Sequence, residues 1–174
     1  MLTRLAPKAV NTRSPTAGQP AFQAKLRTPF GIVGLRTEGG ALAEVVYLPR
    51  SAGTLAPATP LAEEVCAQIE AYVADPGFCF RVALKRMGTD FQRRVWDALA
   101  QIPCGETRTY GDIARLLRSS PRAVGQACGT NYFPLVIPCH RVVSATGLGG
   151  FAHHSSGYLI EVKRWLLAHE TPAH

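Results

Sequence analysis

From Phe22 to Leu48 polar and β-favouring residues alternate, and the alternation breaks at Pro29-Phe30-Gly31 and again at Glu38-Gly39-Gly40. A period of two sends successive side chains to opposite faces of a strand, and the glycines supply turns, so this stretch predicts a three-stranded antiparallel meander. Ser51–Pro60 is rich in Pro, Ala and Thr and reads as a loop. After it Leu61, Val65, Ile69 and Tyr72 recur at helical spacing, predicting a helix to about Val73. Pro76-Gly77 ends that helix, and Cys79–Leu84 is expected to add one more strand. Thr89-Asp90-Phe91-Gln92 fits a capping box, with Phe91, Val95, Leu99 and Ile102 as the apolar stripe of the helix it opens. Pro103-Cys104-Gly105 closes this helix, and Thr109 caps a short one through Leu117 whose apolar residues are Ile113, Leu116 and Leu117. A turn at Arg118-Ser119-Ser120 leads to Pro121, which suits a first helical position, and to a helix ending near Asn131. Two short helices around a tight turn suggest a helix-turn-helix, a pattern that many other helix pairs share. Near the end Leu159, Val162, Leu166 and His169 fall at helical spacing with Trp165 beside them, predicting a final helix that docks its apolar face.

The second helix of the short pair is built from Ala123, Gly125, Ala127, Cys128 and Gly129. Glycine inside a helix costs roughly 1 kcal/mol against alanine, so two of them signal close approach of another surface, either protein or a nucleic-acid groove. Charge is uneven in the same direction. Residues 1–80 hold 7 Lys/Arg against 6 Asp/Glu, whereas residues 81–174 hold 12 against 6, which makes the second half the part suited to a polyanion. No apolar run approaches the roughly 20 residues that cross a bilayer. Residues 1–20 carry Arg4, Lys8 and Arg13 and no acid. They lack the apolar core of a secretory signal and only weakly resemble a transit peptide, so they are expected to be a flexible tail outside the fold. The five cysteines are odd in number and form no C-x-x-C pair, which points to a reduced, cytoplasmic setting and away from a zinc site.

The candidate chemistry lies in Leu135-Val136-Ile137-Pro138-Cys139-His140-Arg141-Val142-Val143. Sequence neighbours often point apart, so an adjacent Cys-His pair is either a nucleophile with its base or a buried structural thiol beside an unrelated histidine. Ile137-Pro138-Cys139-His140-Arg141-Val142 resembles the active-site signature of the 6-O-methylguanine-DNA methyltransferases. Phe91-Gln92-Arg93-Arg94-Val95-Trp96, Ile102-Pro103-Cys104-Gly105-Glu106-Thr107-Arg108-Thr109-Tyr110-Gly111 and Arg122-Ala123-Val124-Gly125 resemble the same family in the same order. The match is dense from about Gly88 to Glu170 and loose before it.

The resemblance implies an α+β fold. Residues 21–84 would form an N-terminal ribonuclease H-like α/β domain, a small antiparallel sheet with a helix. Residues 88–174 would form a mainly helical C-terminal domain that carries the helix-turn-helix, binds DNA and accepts the alkyl group. It also implies single-turnover repair, in which Cys139 takes the alkyl group from O6-alkylguanine in double-stranded DNA and is consumed. By the same resemblance His140 removes the thiol proton through a bound water, Glu170 orients and charges His140, and Tyr110 protonates the leaving base. Arg122 fills the gap left by the flipped base, Ala123 and Gly125 let a slender helix enter the minor groove, and Asn131 holds the turn before the active site. The pocket would use the carbonyls of Cys139 and Val142, under a lid of Gly149-Gly150-Phe151. No metal, cofactor or membrane is implied, and a monomer is expected. Three departures stand out: Phe151 replaces a common tyrosine, the turn at Arg118–Pro121 is shorter by about two residues, and Ala152–Ser156 lengthens the lid. His153 and His154 read as part of a polar loop. The competing classes are a damage sensor of the same fold, which would lack the cysteine, a helix-turn-helix regulator reading the major groove, and a cysteine hydrolase.

Overall fold

The computed structural model describes residues 21–152 and 156–172. The expected tail and the His153–Ser155 part of the longer lid lie outside the described residues.

The meander forms as the alternation predicts. Strands β1 (Ala24–Thr28), β2 (Gly31–Glu38) and β3 (Ala41–Leu48) pair antiparallel in the order β1-β2-β3, with a register irregularity at Arg36/Thr37. Helix α1 (Pro60–Ala74) lies against β1 and β2. Thr59 caps it by accepting from the Ala62 amide at 3.1 Å, and Ala62, Val65, Cys66, Ile69 and Tyr72 form its buried face.

Cys79–Leu84 is not a strand, contrary to expectation. Only Leu84 makes a bridge, to Leu42, while the main chain of Arg81 is satisfied by the Gln68 side chain: the Arg81 amide donates to Oε1 at 2.8 Å and Nε2 donates to the Arg81 carbonyl at 2.9 Å. A side-chain amide from α1 here takes the place of a ladder partner. Phe78 and Phe80 pack on each other, and Phe80 also packs on Tyr72.

The capping box at Thr89 and Gln92 is present and opens α2 (Asp90–Ala100). Its buried residues are Val95, Trp96 and Leu99, and the Trp96 indole donates to the Ala127 carbonyl at 2.9 Å, tying α2 to α4 (Pro121–Gly129). Helix α3 (Tyr110–Leu117) is likewise capped by a box, at Thr109 and Asp112. Its expected stripe is partly wrong: Ile113 is buried, but Leu116 is 69% exposed and Ala114 is buried in its place. Helix α4 ends at Gly129, two residues before the expected end at Asn131. A two-residue strand pair, β4 (Arg108–Thr109) with β5 (Val142–Val143), runs parallel and joins the entrance of α3 to the exit of the cysteine motif. Helix α5 (Tyr158–Glu170) is the last helix among the described residues, and one hydrophobic cluster runs from the sheet through α2, α4 and α5.

The short turn between α3 and α4 is closed by the Ser119 amide bonding to the Ala114 carbonyl at 2.9 Å and the Arg118 amide to the Arg115 carbonyl at 3.3 Å. This is a Schellman ending, which needs a left-handed residue. That residue is Arg118, with φ 53° and ψ 50°, where a side chain carries a steric cost. Arg118→Gly is expected to raise stability by about 1 kcal/mol and Tm by roughly 3 °C. An unchanged or lower Tm in thermal unfolding counts against strain at this residue.

Candidate active site

The chain between α4 and Cys139 is shaped by Asn131. Its Nδ2 donates to the Ile137 carbonyl at 2.9 Å and its Oδ1 accepts from the Phe133 amide at 2.9 Å, so one side chain clamps both ends of the loop. Pro138, at φ −79° and ψ 66°, then centres an inverse γ-turn closed by the Cys139 amide on the Ile137 carbonyl at 2.8 Å. A single 3₁₀ turn over Cys139–Arg141 follows, and the β4–β5 pairing fixes its exit.

Cys139 lines a cavity of about 220 Å³. The other lining residues are Tyr110, Gly125, Cys128 and Gly129 from the helix pair, and Gly150, Phe151 and Ala152 from the segment expected as a lid. The small residues of α4 thereby acquire a function in packing terms: Val124, Ala127 and Cys128 are buried, and Gly125 faces the Tyr110 ring, where any larger side chain would project toward the cavity. At Gly149, which has φ 74°, a Cβ would lie 2.9 Å from the Ser144 amide nitrogen and 3.1 Å from the Tyr110 ring. The approach to the lid is therefore closed to other residues. The Tyr110 hydroxyl donates to the Gly150 carbonyl at 3.2 Å, and Phe151 is buried with its ring 5.8 Å from that of Tyr47.

His140 and Arg141 turn away from the cavity toward Glu170. Nε2 of His140 bonds to Glu170 Oε1 at 2.8 Å, Arg141 holds both carboxylate oxygens at 2.9 Å, and the Tyr72 hydroxyl donates to Oε1 at 2.8 Å. A carboxylate only accepts, so Nε2 carries the imidazole proton and Nδ1 keeps its lone pair. Nδ1 is buried and has no hydrogen-bond partner among the described residues. The Arg141 guanidinium also donates to the Ile102 carbonyl at 2.6 Å, and α5 ends against the turn at Gly105, where a Cβ would sit 3.1 Å from the Glu170 carbonyl.

These surroundings set the protonation states. Burial pushes the Cys139 thiol above its ordinary value, opposed by a hydrogen bond from Asn131 and by the charge of Lys163. Burial lowers His140, and the hydrogen bond and charge of Glu170 only partly offset it. The resting pair is therefore thiol and neutral imidazole. Glu170 thus supports the imidazole without charging it at rest, a weaker role than the expected one. Burial would raise the Glu170 carboxyl, but the bonds and charges of His140 and Arg141 bring it down to about 2.

Sequence reasoning placed Cys139, His140, Glu170, Tyr110, Asn131, Gly125 and Phe151 in one neighbourhood, and the structure brings them together. Arg122 is exposed in the first turn of α4, and the Ala123 amide donates to the Ser120 cap at 3.2 Å. The Val142 carbonyl accepts from Lys163 Nζ at 2.6 Å and the Cys139 carbonyl from the Val142 amide, which leaves each oxygen a second lone pair for a further donor. Both carbonyls are engaged within the protein. Lys163 was missed. It is wholly buried, donates also to the Gly150 carbonyl at 2.9 Å, and burial lowers its pKa to about 8. Its only signal was position, midway between Ile160 and Leu166 on the buried side of α5. Arg141 and Tyr72 were also missed as partners of Glu170, Tyr72 having been read as a stripe residue alone.

Both buried groups make the fold acid-sensitive. Each has a folded pKa below its unfolded value, so its stabilisation is present above the unfolded value and lost as pH falls: His140 from about 6.5 downward and Glu170 from about 4.5 toward about 2. The urea midpoint should fall between pH 7 and pH 3, and Glu170→Gln should be less stable at pH 7 yet lose less on going from pH 4.5 to pH 3. Parallel curves for parent and variant over that interval contradict the assignment.

Residues 90–172 match the family model for the 6-O-methylguanine DNA methyltransferase DNA-binding domain. The methylated-DNA-protein-cysteine methyltransferase of Methanosarcina mazei is 47% identical over 107 residues, 60% of this chain and 65% of that protein, so the match spans a little under two thirds of the relative. The structure of the Mycobacterium tuberculosis O6-methylguanine methyltransferase superposes with a TM-score of 0.72 at 36% identity, covering 88% of this chain and 97% of that one. Mycobacterium tuberculosis OGT in complex with DNA superposes at 0.70 with 39% identity, over 86% and 94% of the two chains. With its cysteine, histidine and glutamate assembled at a cavity beside the helix pair, and with near-complete coverage of a solved relative, the chain belongs to the 6-O-methylguanine-DNA methyltransferase family.

Proposed function

We propose that this protein repairs O6-alkylguanine in double-stranded DNA by moving the alkyl group to Cys139 in a single, irreversible turnover. The observation that carries the reading is a buried thiol at the wall of a cavity of about 220 Å³, followed in the chain by a neutral histidine whose Nδ1 has no hydrogen-bond partner among the described residues and whose Nε2 is held by Glu170. This is the order of nucleophile, base and orienting acid. The thiol gives its proton toward His140, sulfur attacks the alkyl carbon in line, the S–C bond forms and the bond from carbon to O6 breaks. Tyr110 supplies a proton to the departing guanine and recovers one from the proton the thiol released, so the net charge is unchanged. Burial raises the Tyr110 hydroxyl, which keeps it a donor at neutral pH. The thioether product does not hydrolyse under cellular conditions, and the chain is spent.

A base inside the duplex must be turned out before it reaches a buried thiol. Helices α3 and α4 serve as a helix-turn-helix whose slender second member fits a minor groove, with Arg122 occupying the vacated place in the stack. Arg118, Ser119, Ser120 and Arg122 are exposed together at the turn, which favours contact with DNA through this end. The reading takes the protein to act as a monomer. A damage sensor of the same fold would have no use for the thiol.

Incubation with duplex DNA containing O6-methylguanine should add the mass of one methyl group to the intact protein and then stop, with the label on Cys139. Cys139→Ser should abolish transfer while keeping DNA affinity within a few-fold, because phosphate contacts supply most of the binding. Label on Cys104 or Cys128, or transfer by the serine variant, overturns the reading. Arg122→Ala should slow repair of duplex DNA far more than reaction with free O6-benzylguanine, which needs no flipping; equal losses on the two substrates would assign Arg122 to the fold.

A further inference from the structure

Among the described residues two buried side-chain polar atoms have no hydrogen-bond partner: Nδ1 of His140 and the hydroxyl of Tyr47. Buried polar groups without protein partners are as a rule satisfied by ordered water, which needs two to four polar neighbours. Such atoms are uncommon, and both of these lie in one neighbourhood. Tyr47 sits on β3, which is drawn to the active-site loop by the Val45 amide donating to the Tyr132 carbonyl at 2.8 Å. Two residues on, and so on the same face of the strand, the Tyr47 ring packs 5.8 Å from Phe151 of the cavity wall and 6.0 Å from Phe30. Burial raises the Tyr47 hydroxyl well above its ordinary value, and of the ionisable neighbours that add to this Cys139 acts most strongly, ahead of Tyr72, Tyr158 and Glu170. The hydroxyl therefore stays protonated, able both to donate and to accept, and its ring borders Phe151, which lines the cavity together with Cys139.

We propose that Tyr47 is a positioning residue for the proton relay: its hydroxyl and Nδ1 of His140 together hold one water molecule against the Sγ of Cys139. The inference rests on the reading of His140 as the base of the alkyl transfer and names the group that orients the water between them. The water has three protein neighbours, which is the usual number for a buried site. It accepts the thiol proton as it passes one of its own to Nδ1, and the hydroxyl of Tyr47 occupies a further hydrogen-bonding direction, so the transferred proton points at the imidazole. No proton is gained or lost by Tyr47. The segment carrying the sheet, distant from the helix pair, thereby enters the chemistry twice: through Tyr72 on Glu170, and through Tyr47 on the water.

Tyr47→Phe removes one oxygen and keeps the ring packing. The rate of reaction with free O6-benzylguanine should fall about tenfold at neutral pH, and the deficit should close as rising pH ionises the thiol without the relay. Affinity for duplex DNA and Tm should stay near the parent values. In a His140→Asn background, adding Tyr47→Phe should cost nothing further, because the two residues act on the same proton. Parent rate and pH profile in Tyr47→Phe, with His140→Asn slow, overturns the role of Tyr47 and leaves the relay intact. A pH-independent loss of rate accompanied by a lower Tm means that the hydroxyl only supports the fold, and likewise overturns it. If His140→Asn itself reacts at the parent rate across the pH range, the relay fails and this role fails with it.

Discussion

The carboxylate of Glu170, a residue 4% exposed, accepts hydrogen bonds from Tyr72 of α1 and from the adjacent His140 and Arg141, two distant parts of the chain. Burying a carboxylate alone is costly, and this one is tolerated because a bidentate guanidinium and two further donors saturate it. The arrangement fixes much else. It docks the last turn of α5 and holds the His140 ring with Nε2 protonated. It also anchors the 3₁₀ turn that presents Cys139, and it fastens α1 to the site through the Tyr72 hydroxyl. Arg141 has a second effect. By neutralising the carboxylate it limits how far Glu170 can raise His140, and the imidazole stays uncharged until a proton arrives.

A matching constraint operates at the cavity. Lys163 buries an ammonium beneath it and spends its hydrogen bonds on the carbonyls of Val142 and Gly150, one at the exit of the cysteine turn and one on the lid. The Tyr110 hydroxyl meets the same Gly150 carbonyl. The lid is therefore bonded to α5 and to the start of α3, and the cavity wall is shaped by polar bonds inside an otherwise apolar shell. Phe151 adds no hydroxyl of its own and contributes ring packing against Tyr47. In this chain the hydrogen bonds at the lid are made by its main chain.

The local signals in the sequence were sufficient for most elements. Alternation specified the three strands, and the box at Thr89–Gln92 and the cap at Thr109 marked helix starts, because capping depends on a side chain and amides at most three positions away. Cys79–Leu84 failed for the opposite reason: whether an extended segment joins a ladder depends on partners from elsewhere in the chain, and here β3 bonds it only around Leu84 while Gln68 of α1 holds the Arg81 main chain. Leu116 failed because a helix of only 8 residues has too few turns for its pattern to say which apolar residue faces inward.

The same division holds at the site. The small residues of α4 were legible from residue type, whereas the roles of Cys139, His140 and Glu170 came from the resemblance of four motifs in order, because the adjacent Cys-His pair by itself fits a structural thiol as well. What the tertiary structure decided were the partners and the charges. Tyr72 meets Glu170 across 98 positions, Arg141 turns inward instead of toward solvent, and Lys163 is buried under the lid. A pKa is set by burial and by groups brought near from distant parts of the chain, and neither is written in the residues on either side. The neutral state of the Cys139–His140 pair became determinate only when sheet, helix pair and final helix closed around it.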